Sequence, residues 1–250
     1  MGPQRVALVT GSGAKRVGAA VADALARRGH AVAVHYRTSA AEAADTVAAL
    51  RRHGVEADAF PADLADEAAV GELVRAVLAR FGRVDVLVNC AAIWERKPLE
   101  EVTAADVRRH FDSNALSTFL MCQQVGLAMA RQPDGGAIVN VGDWAEVRPY
   151  TGYAAYFPSK GAVSAITRSL AVELGTRNPR VRVNAVLPGP VMLPPDLPES
   201  ERRQAIDATL VKREGSPHHV AQAVLAFVEN DFVTGACLPV DGGRTVYAPE

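Results

Sequence analysis

Seven short β-branched or apolar runs alternate with longer alanine-rich stretches along this chain, and that alternation constrains the fold more than any other feature. The runs occupy residues 6–10, 31–35, 55–60, 84–89, 137–141, 181–186 and 237–240. Helix-period patterns fill 18–28, 40–53, 67–81, 104–131 and 152–174. Near-continuous apolar runs read as strands buried on both faces, and the helices between them supply the crossovers that parallel strands require. The expected fold class is α/β, a doubly wound parallel sheet with helices on both faces. In such a sheet the ligand sits beyond the carboxyl ends of the strands. No linker splits the pattern, and 250 residues suit one core, so 1–250 is expected to be a single domain. Prolines at 188, 190, 194, 195 and 198 mark an irregular stretch followed by a charged helical piece. At about 188–215 it reads as a substrate loop over the site.

Composition narrows the function by exclusion. Net charge is −1, with 27 Lys and Arg spread along the chain, so no electrostatic footprint for nucleic acid or an anionic membrane is present. The expected partner is a small-molecule substrate. Three cysteines (Cys90, Cys122, Cys237) without CxxC spacing point to neither a disulfide framework nor a zinc site. The first residues lack a signal-peptide pattern and no apolar stretch reaches the length of a membrane span, so a cytoplasmic location is expected.

The first strand ends in Thr10-Gly11-Ser12-Gly13-Ala14-Lys15-Arg16-Val17-Gly18 and a helix follows. Glycines here let the backbone turn tightly and approach a pyrophosphate, which rests on the helix N-terminus. The second strand ends His35-Tyr36-Arg37-Thr38-Ser39, with no acidic residue before Glu42. A carboxylate there would bind a ribose 2′-hydroxyl, whereas an arginine accommodates a 2′-phosphate. Arg37 with the Thr38 and Ser39 hydroxyls forms a phosphate cradle, to which Lys15 or Arg16 adds charge, so the expected cofactor is NADP(H). His35 is read as packed or phosphate-neighbouring.

Tyr156 and Lys160 stand four residues apart in Tyr153-Ala-Ala-Tyr156-Phe-Pro-Ser-Lys160. That spacing puts a phenol and an ammonium on one helix face, and the positive charge is expected to lower the phenol pKa. Asp143 lies thirteen residues before Tyr156. An ionised aspartate cannot donate a hydrogen bond and repels a developing alkoxide, so Asp143 either holds a proton or faces a substrate that offers protons.

Together with Asn89-Cys90-Ala91-Ala92, Asn114 and the closing Val233-to-Gly243 segment, these motifs resemble the short-chain dehydrogenase/reductase family over essentially the whole chain. The resemblance implies one Rossmann-like domain, a nicotinamide cofactor and a homotetramer or homodimer. It places Asp63 and Leu64 at the adenine, Asn89 under the central strand, and Pro188 and Gly189 beside the nicotinamide. Asn114 would hold a water in a proton relay to Lys160. The chain departs from the family where Arg16 replaces a glycine in a turn one residue longer, and where Asp143 stands for the usual serine. Ala14-Lys15-Arg16-Val17-Gly18, the His35-Tyr36-x-x-Ser39 strand end and Asp143 are similar to the pteridine reductase branch. That branch implies an aromatic ring at Trp94 against the pterin and Tyr153 on the pocket wall. The alternatives are a Trp94 packed under its loop and a Tyr153 in the core or an interface.

Three functions are consistent with these residues. The first is an NADPH-dependent reductase of a pterin-like or cyclic imine C=N bond, with Asp143, Tyr156, Lys160 and Asn114 as the catalytic set. The second is a 3-oxoacyl thioester or other ketone or quinone reductase. The third is a dinucleotide-binding regulatory protein without turnover, against which the intact Tyr156, Lys160 and Asn114 argue. His218 and His219 follow Ser216-Pro217 and read as part of a helix cap, not a metal pair.

Overall fold

Runs of buried β-branched and apolar residues pair side by side as seven parallel strands: β1 (Val6–Thr10), β2 (Ala31–Tyr36), β3 (Ala57–Pro61), β4 (Val86–Asn89), β5 (Gly136–Val141), β6 (Val181–Pro188) and β7 (Cys237–Val240). The computed structural model describes residues 4–247. Strand order is β3-β2-β1-β4-β5-β6-β7. The chain builds outward from β1 to β3, then crosses back to lay β4 on the other side of β1. Ligand crevices form at such a reversal. Here Thr10 pairs with Asn89, and the Thr10 hydroxyl accepts from the Cys90 and Ala91 amides at 3.0 and 3.1 Å. Those two bonds fix how the loops after β1 and β4 diverge.

Alternate residues of each strand feed two cores. Ala7 and Val9 face a layer made by α1 (Val17–Arg27), α2 (Ala40–Arg51) and α8 (Pro217–Glu229). Leu8 and Leu87 face the opposite layer of α3 (Glu67–Phe81), α5 (Ser117–Ala130) and α6 (Tyr156–Gly175). Each fully buried valine or leucine among them contributes about 1.5–3 kcal/mol relative to exposure. The expected α/β class is the observed one.

Local chemistry sets the helix ends. Asp66 accepts from the Ala68 and Ala69 amides at 2.8 and 3.2 Å, and Gly82 at φ +78° closes the same helix. At α8 the Ser216 amide donates to His219 Nδ1 at 3.0 Å. His219 thus completes a capping box.

Two expected helices differ. The pattern at 104–131 predicts one helix, but the chain forms α4 (Ala104–His110), a six-residue π-helical segment (Phe111–Leu116) and then α5. An apolar stripe does not register one extra residue in a turn. The helix expected from 152 begins at Tyr156, because Gly152 adopts φ +88°. The charged piece forms α7 (Glu199–Asp207), and no helix among the described residues is long and apolar enough to cross a membrane.

Candidate active site

The first turn is held from three sides. Gly11, at φ +61°, donates its amide to His35 Nδ1 at 3.1 Å, and His35 Nε2 lies 3.1 Å from the Ala62 carbonyl. An amide donor on one nitrogen and a carbonyl on the other select the neutral tautomer with its hydrogen on Nε2. Burial supports this by pushing the His35 pKa down to about 4. The Ser12 amide bonds the His35 carbonyl at 3.1 Å, and the Thr46 hydroxyl donates to the Gly13 carbonyl at 2.8 Å. The longer turn is therefore fastened to both β2 and α2. A Cβ on Gly18 would lie 2.5 Å from the Gly11 carbonyl oxygen, a backbone atom fixed by these bonds. Gly18→Ala should cost about 1–3 kcal/mol of overpacking. We expect its dinucleotide affinity, measured by cofactor fluorescence titration, to fall at least about tenfold; an unchanged affinity would mean that the turn gives way freely.

Above this turn lies a cleft of about 640 Å³ at the carboxyl ends of the strands. Gly11, Gly13, Arg16, Val17 and Gly18 line it from the turn, and His35, Tyr36, Arg37, Thr38 and Ser39 from the end of β2. Asp63 and Leu64 enter after β3, Ala91 and Trp94 after β4, and Pro188 and Gly189 at the end of β6. Asp143, Tyr156 and Lys160 complete the other end.

Four residues singled out from the sequence do not line the cleft. The Lys15 side chain is exposed outside it. Asn89 is buried behind it, donating to Asn140 Oδ1 at 2.9 Å and Cys122 Sγ at 3.3 Å, so it ties β4 to β5 and α5. Asn114 lies in the π-helical segment. Its amide donates to the Ile93 carbonyl (3.1 Å) and Ser159 Oγ (3.0 Å), and its Oδ1 accepts from the Ile93 amide (2.8 Å). The extra residue per turn thus points an amide at both the loop after β4 and the residue preceding Lys160. Tyr153 stacks on Trp94, with ring centroids 5.0 Å apart and planes 10° from parallel. Trp94 lines the cleft, and Tyr153 backs it within a group that includes Tyr156 and Phe157.

The chemistry converges on three side chains. The Tyr156 hydroxyl donates to Asp143 Oδ2 at 2.9 Å, while Asp143 Oδ1 accepts from the Ala145 amide at 2.8 Å. The Lys160 ammonium, only 5% exposed, donates to the Val141 carbonyl at 2.8 Å. Burial raises the Asp143 pKa above its usual value, and the Ala145 amide, the Tyr156 hydroxyl and Lys160 oppose that shift without cancelling it. Burial likewise lowers the Lys160 pKa. The expected lowering at Tyr156 is reversed: burial first, then the neighbouring Asp143 charge, raises it well above the usual phenol value. An aspartate in place of serine puts negative charge where the sequence pattern alone suggested only the lysine's positive charge.

Among the lining residues that sequence reading missed are Trp144, Tyr150 and Arg244. Trp144 and Tyr150 stack at 6.1 Å, and the Arg244 guanidinium lies 4.4 Å from the Trp144 ring centroid. Trp144 adjoins Asp143 in sequence, a signal that was present but unused. Arg244 follows Asp241-Gly242-Gly243, and only the folded turn brings it back to the cleft.

The family model described as enoyl-(acyl carrier protein) reductase matches residues 13–245. Pteridine reductase 1 of Leishmania tarentolae is 34% identical over 287 residues, spanning 96% of this chain and 96% of its own. A 3-oxoacyl-(acyl-carrier-protein) reductase of Synechocystis sp. is likewise 34% identical over 248 residues, spanning 97% and 98%. The crystal structure of NAD+-bound xylitol dehydrogenase superimposes with a TM-score of 0.89 at 30% identity, covering 96% of this chain and 99% of that one. Equal likeness to two differently named reductases leaves the choice of substrate to individual side chains in the cleft. Resemblance of this extent, joined to the sheet order and the cleft, decides the broader question: the chain belongs to the short-chain dehydrogenase/reductase family, oxidoreductases that use a nicotinamide dinucleotide.

Proposed function

We propose that this protein is an NADPH-dependent reductase of a pterin-like or cyclic imine C=N bond. The observation that carries the reading is the partly buried carboxylate of Asp143, accepting the Tyr156 hydroxyl at 2.9 Å where a ketone reductase would offer a serine donor.

The residues fit the cofactor. Helix α1 has neither a side-chain cap nor an acidic residue in its first turn, so its amides suit a pyrophosphate. Arg16, Arg37, Thr38 and Ser39 share one end of the cleft, and the positive charge with two hydroxyls suits a 2′-phosphate. Arg37→Ala should weaken NADPH binding about 10–100-fold, the worth of one or two charge-assisted hydrogen bonds, and leave NADH binding nearly unaltered. Equal losses for both cofactors, measured by titration, would remove Arg37 from the discrimination.

When bound, NADPH supplies the hydride that reduces the carbon of the C=N bond. The chain's own residues supply the proton to nitrogen. Tyr156 keeps its proton because burial and Asp143 raise its pKa. Asp143 takes up a proton more readily than a solvated carboxylate because burial penalises its charge. Tyr156 is the acid that serves the reacting nitrogen, and Asp143, hydrogen-bonded to it, is the group through which its proton is replaced. When ionised, Asp143 accepts N–H groups of a pterin ring; a ketone on its way to an alkoxide meets its charge instead. Lys160 places its ammonium at the same end and steadies whichever of the two acids is charged. Trp94, backed by Tyr153, offers a flat surface to a heteroaromatic ring, worth about 0.5–1.5 kcal/mol beyond burial. The test is NADPH oxidation with dihydropterins, cyclic imines, 3-oxoacyl thioesters and quinones in parallel. Turnover of the C=N compounds supports the proposal; turnover confined to the carbonyl compounds would sink it.

A homotetramer or homodimer in the cytoplasm remains the assembly and setting we propose, testable by light scattering and by cell fractionation.

A further inference from the structure

Neither the cofactor cradle nor the proton relay uses Arg244, yet the fold goes to some length to place it. β7 ends at Val240, and the Asp241 carboxylate then accepts the Gly243 amide at 2.9 Å and the Thr245 amide and hydroxyl each at 2.6 Å. Gly242 and Gly243 adopt φ +66° and +84°, so the chain doubles back where side-chain-bearing residues would be strained. Arg148 secures the returning segment by donating to the carbonyls of Arg244 and Tyr247. The result is a half-buried guanidinium at the end of the cleft that holds Asp143, Trp144 and Tyr150.

The group is oriented but not satisfied. Its carbon lies 4.4 Å from the Trp144 ring centroid, where a cation is attracted to the ring. Its one side-chain hydrogen bond among the described residues is to the Ala205 carbonyl of α7, at 3.4 Å. The neighbouring acid, Asp143, spends its two oxygens on the Ala145 amide and the Tyr156 hydroxyl. A guanidinium has five donors in a planar fork that matches a carboxylate in bidentate fashion. We propose that Arg244 is a specificity residue that receives a carboxylate carried by the substrate, so that the preferred substrate is an acid-bearing pterin or cyclic imine. The ring in that statement rests on the C=N reading above; the carboxylate rests on Arg244 alone.

The experiment compares matched pairs: a dihydropterin bearing a side-chain carboxylate and its primary carboxamide, a cyclic imine acid and its amide, and a keto acid and its amide. The unaltered enzyme should favour the acid at least about tenfold in kcat/KM, mainly through KM, as expected for a charge-assisted contact made in the ground state. In Arg244→Gln the acid-to-amide ratio should fall to within about twofold, with Arg244→Lys between the two. A ratio near one in the unaltered enzyme, which needs no variant to fold, would overturn the inference. So would a ratio that survives Arg244→Gln, or an NADPH Kd that weakens in that variant by the same factor, which would assign the arginine to a cofactor phosphate. Acid preference confined to the keto pair would retain Arg244 and defeat the C=N reading. Turnover of pterins and imines without acid preference would do the reverse.

Discussion

Tyr156→Phe should lower kcat by about 10²–10⁴, the usual worth of a positioned proton donor, while leaving the NADPH Kd close to that of the parent. The substitution removes one oxygen. That oxygen donates to Asp143 at 2.9 Å, and its ring packs against Tyr153 and Phe157, contacts a phenylalanine preserves. The loss belongs in kcat if, as we propose, the hydroxyl serves the reacting nitrogen rather than the cradle at the other end of the cleft. Asp143 would lose one of its two hydrogen bonds in the same variant, so its pKa should rise further and the remaining activity should persist to higher pH. Single-turnover oxidation of bound NADPH against pH reads both effects. Undiminished turnover would remove the tyrosine from proton delivery.

The second large effect concerns Asp143 itself. A rate that depends on its protonated form is highest at low pH and falls as pH climbs through its raised pKa. Stability follows the same sign. A carboxyl whose folded pKa exceeds its unfolded value near 3.8 contributes stability that is fully present below that value and lost as pH rises through the folded one. Asp143→Asn should therefore melt higher than the parent at about pH 8 and lose that advantage toward about pH 4. Asp143→Ser should abolish the alkaline fall in rate assigned to the carboxyl. It should also turn an acceptor into a donor for a developing alkoxide, worth about 2–4 kcal/mol when such a donor is well placed.

The fold was legible in the sequence wherever one local rule governed it. The runs at Val6–Thr10 and Cys237–Val240 and the capped helix Glu67–Phe81 have the bounds expected from composition and flanking residues. What periodicity missed is the π-helical segment at Phe111–Leu116, because the pattern of apolar residues runs through it unbroken. At the site, the glycine turn, the β2 exit and the Asp143, Tyr156 and Lys160 set could be found by spacing, since each lies at the end of its own strand or the start of its own helix. Arg244 could not, because a double glycine turn after the last strand brings it to residues a hundred positions earlier. Trp94 and Tyr153 were both expected at the substrate; that one ring would lie on the other follows from tertiary packing alone. The Tyr156 pKa shift has the opposite sign to the expected one because of burial first, and then of the charge and hydrogen bond of Asp143, neither of which spacing along the chain reveals.

The central claim is that the aspartate selects a C=N bond over a ketone. Its most direct test is the ratio of kcat/KM for a cyclic imine or dihydropterin to that for a matched ketone, measured with NADPH in the parent and in Asp143→Ser. The account predicts a ratio well above one in the parent and a shift toward the ketone of about 10²–10³ in the variant. A parent that prefers the ketone, or a ratio that the substitution leaves unmoved, would contradict it.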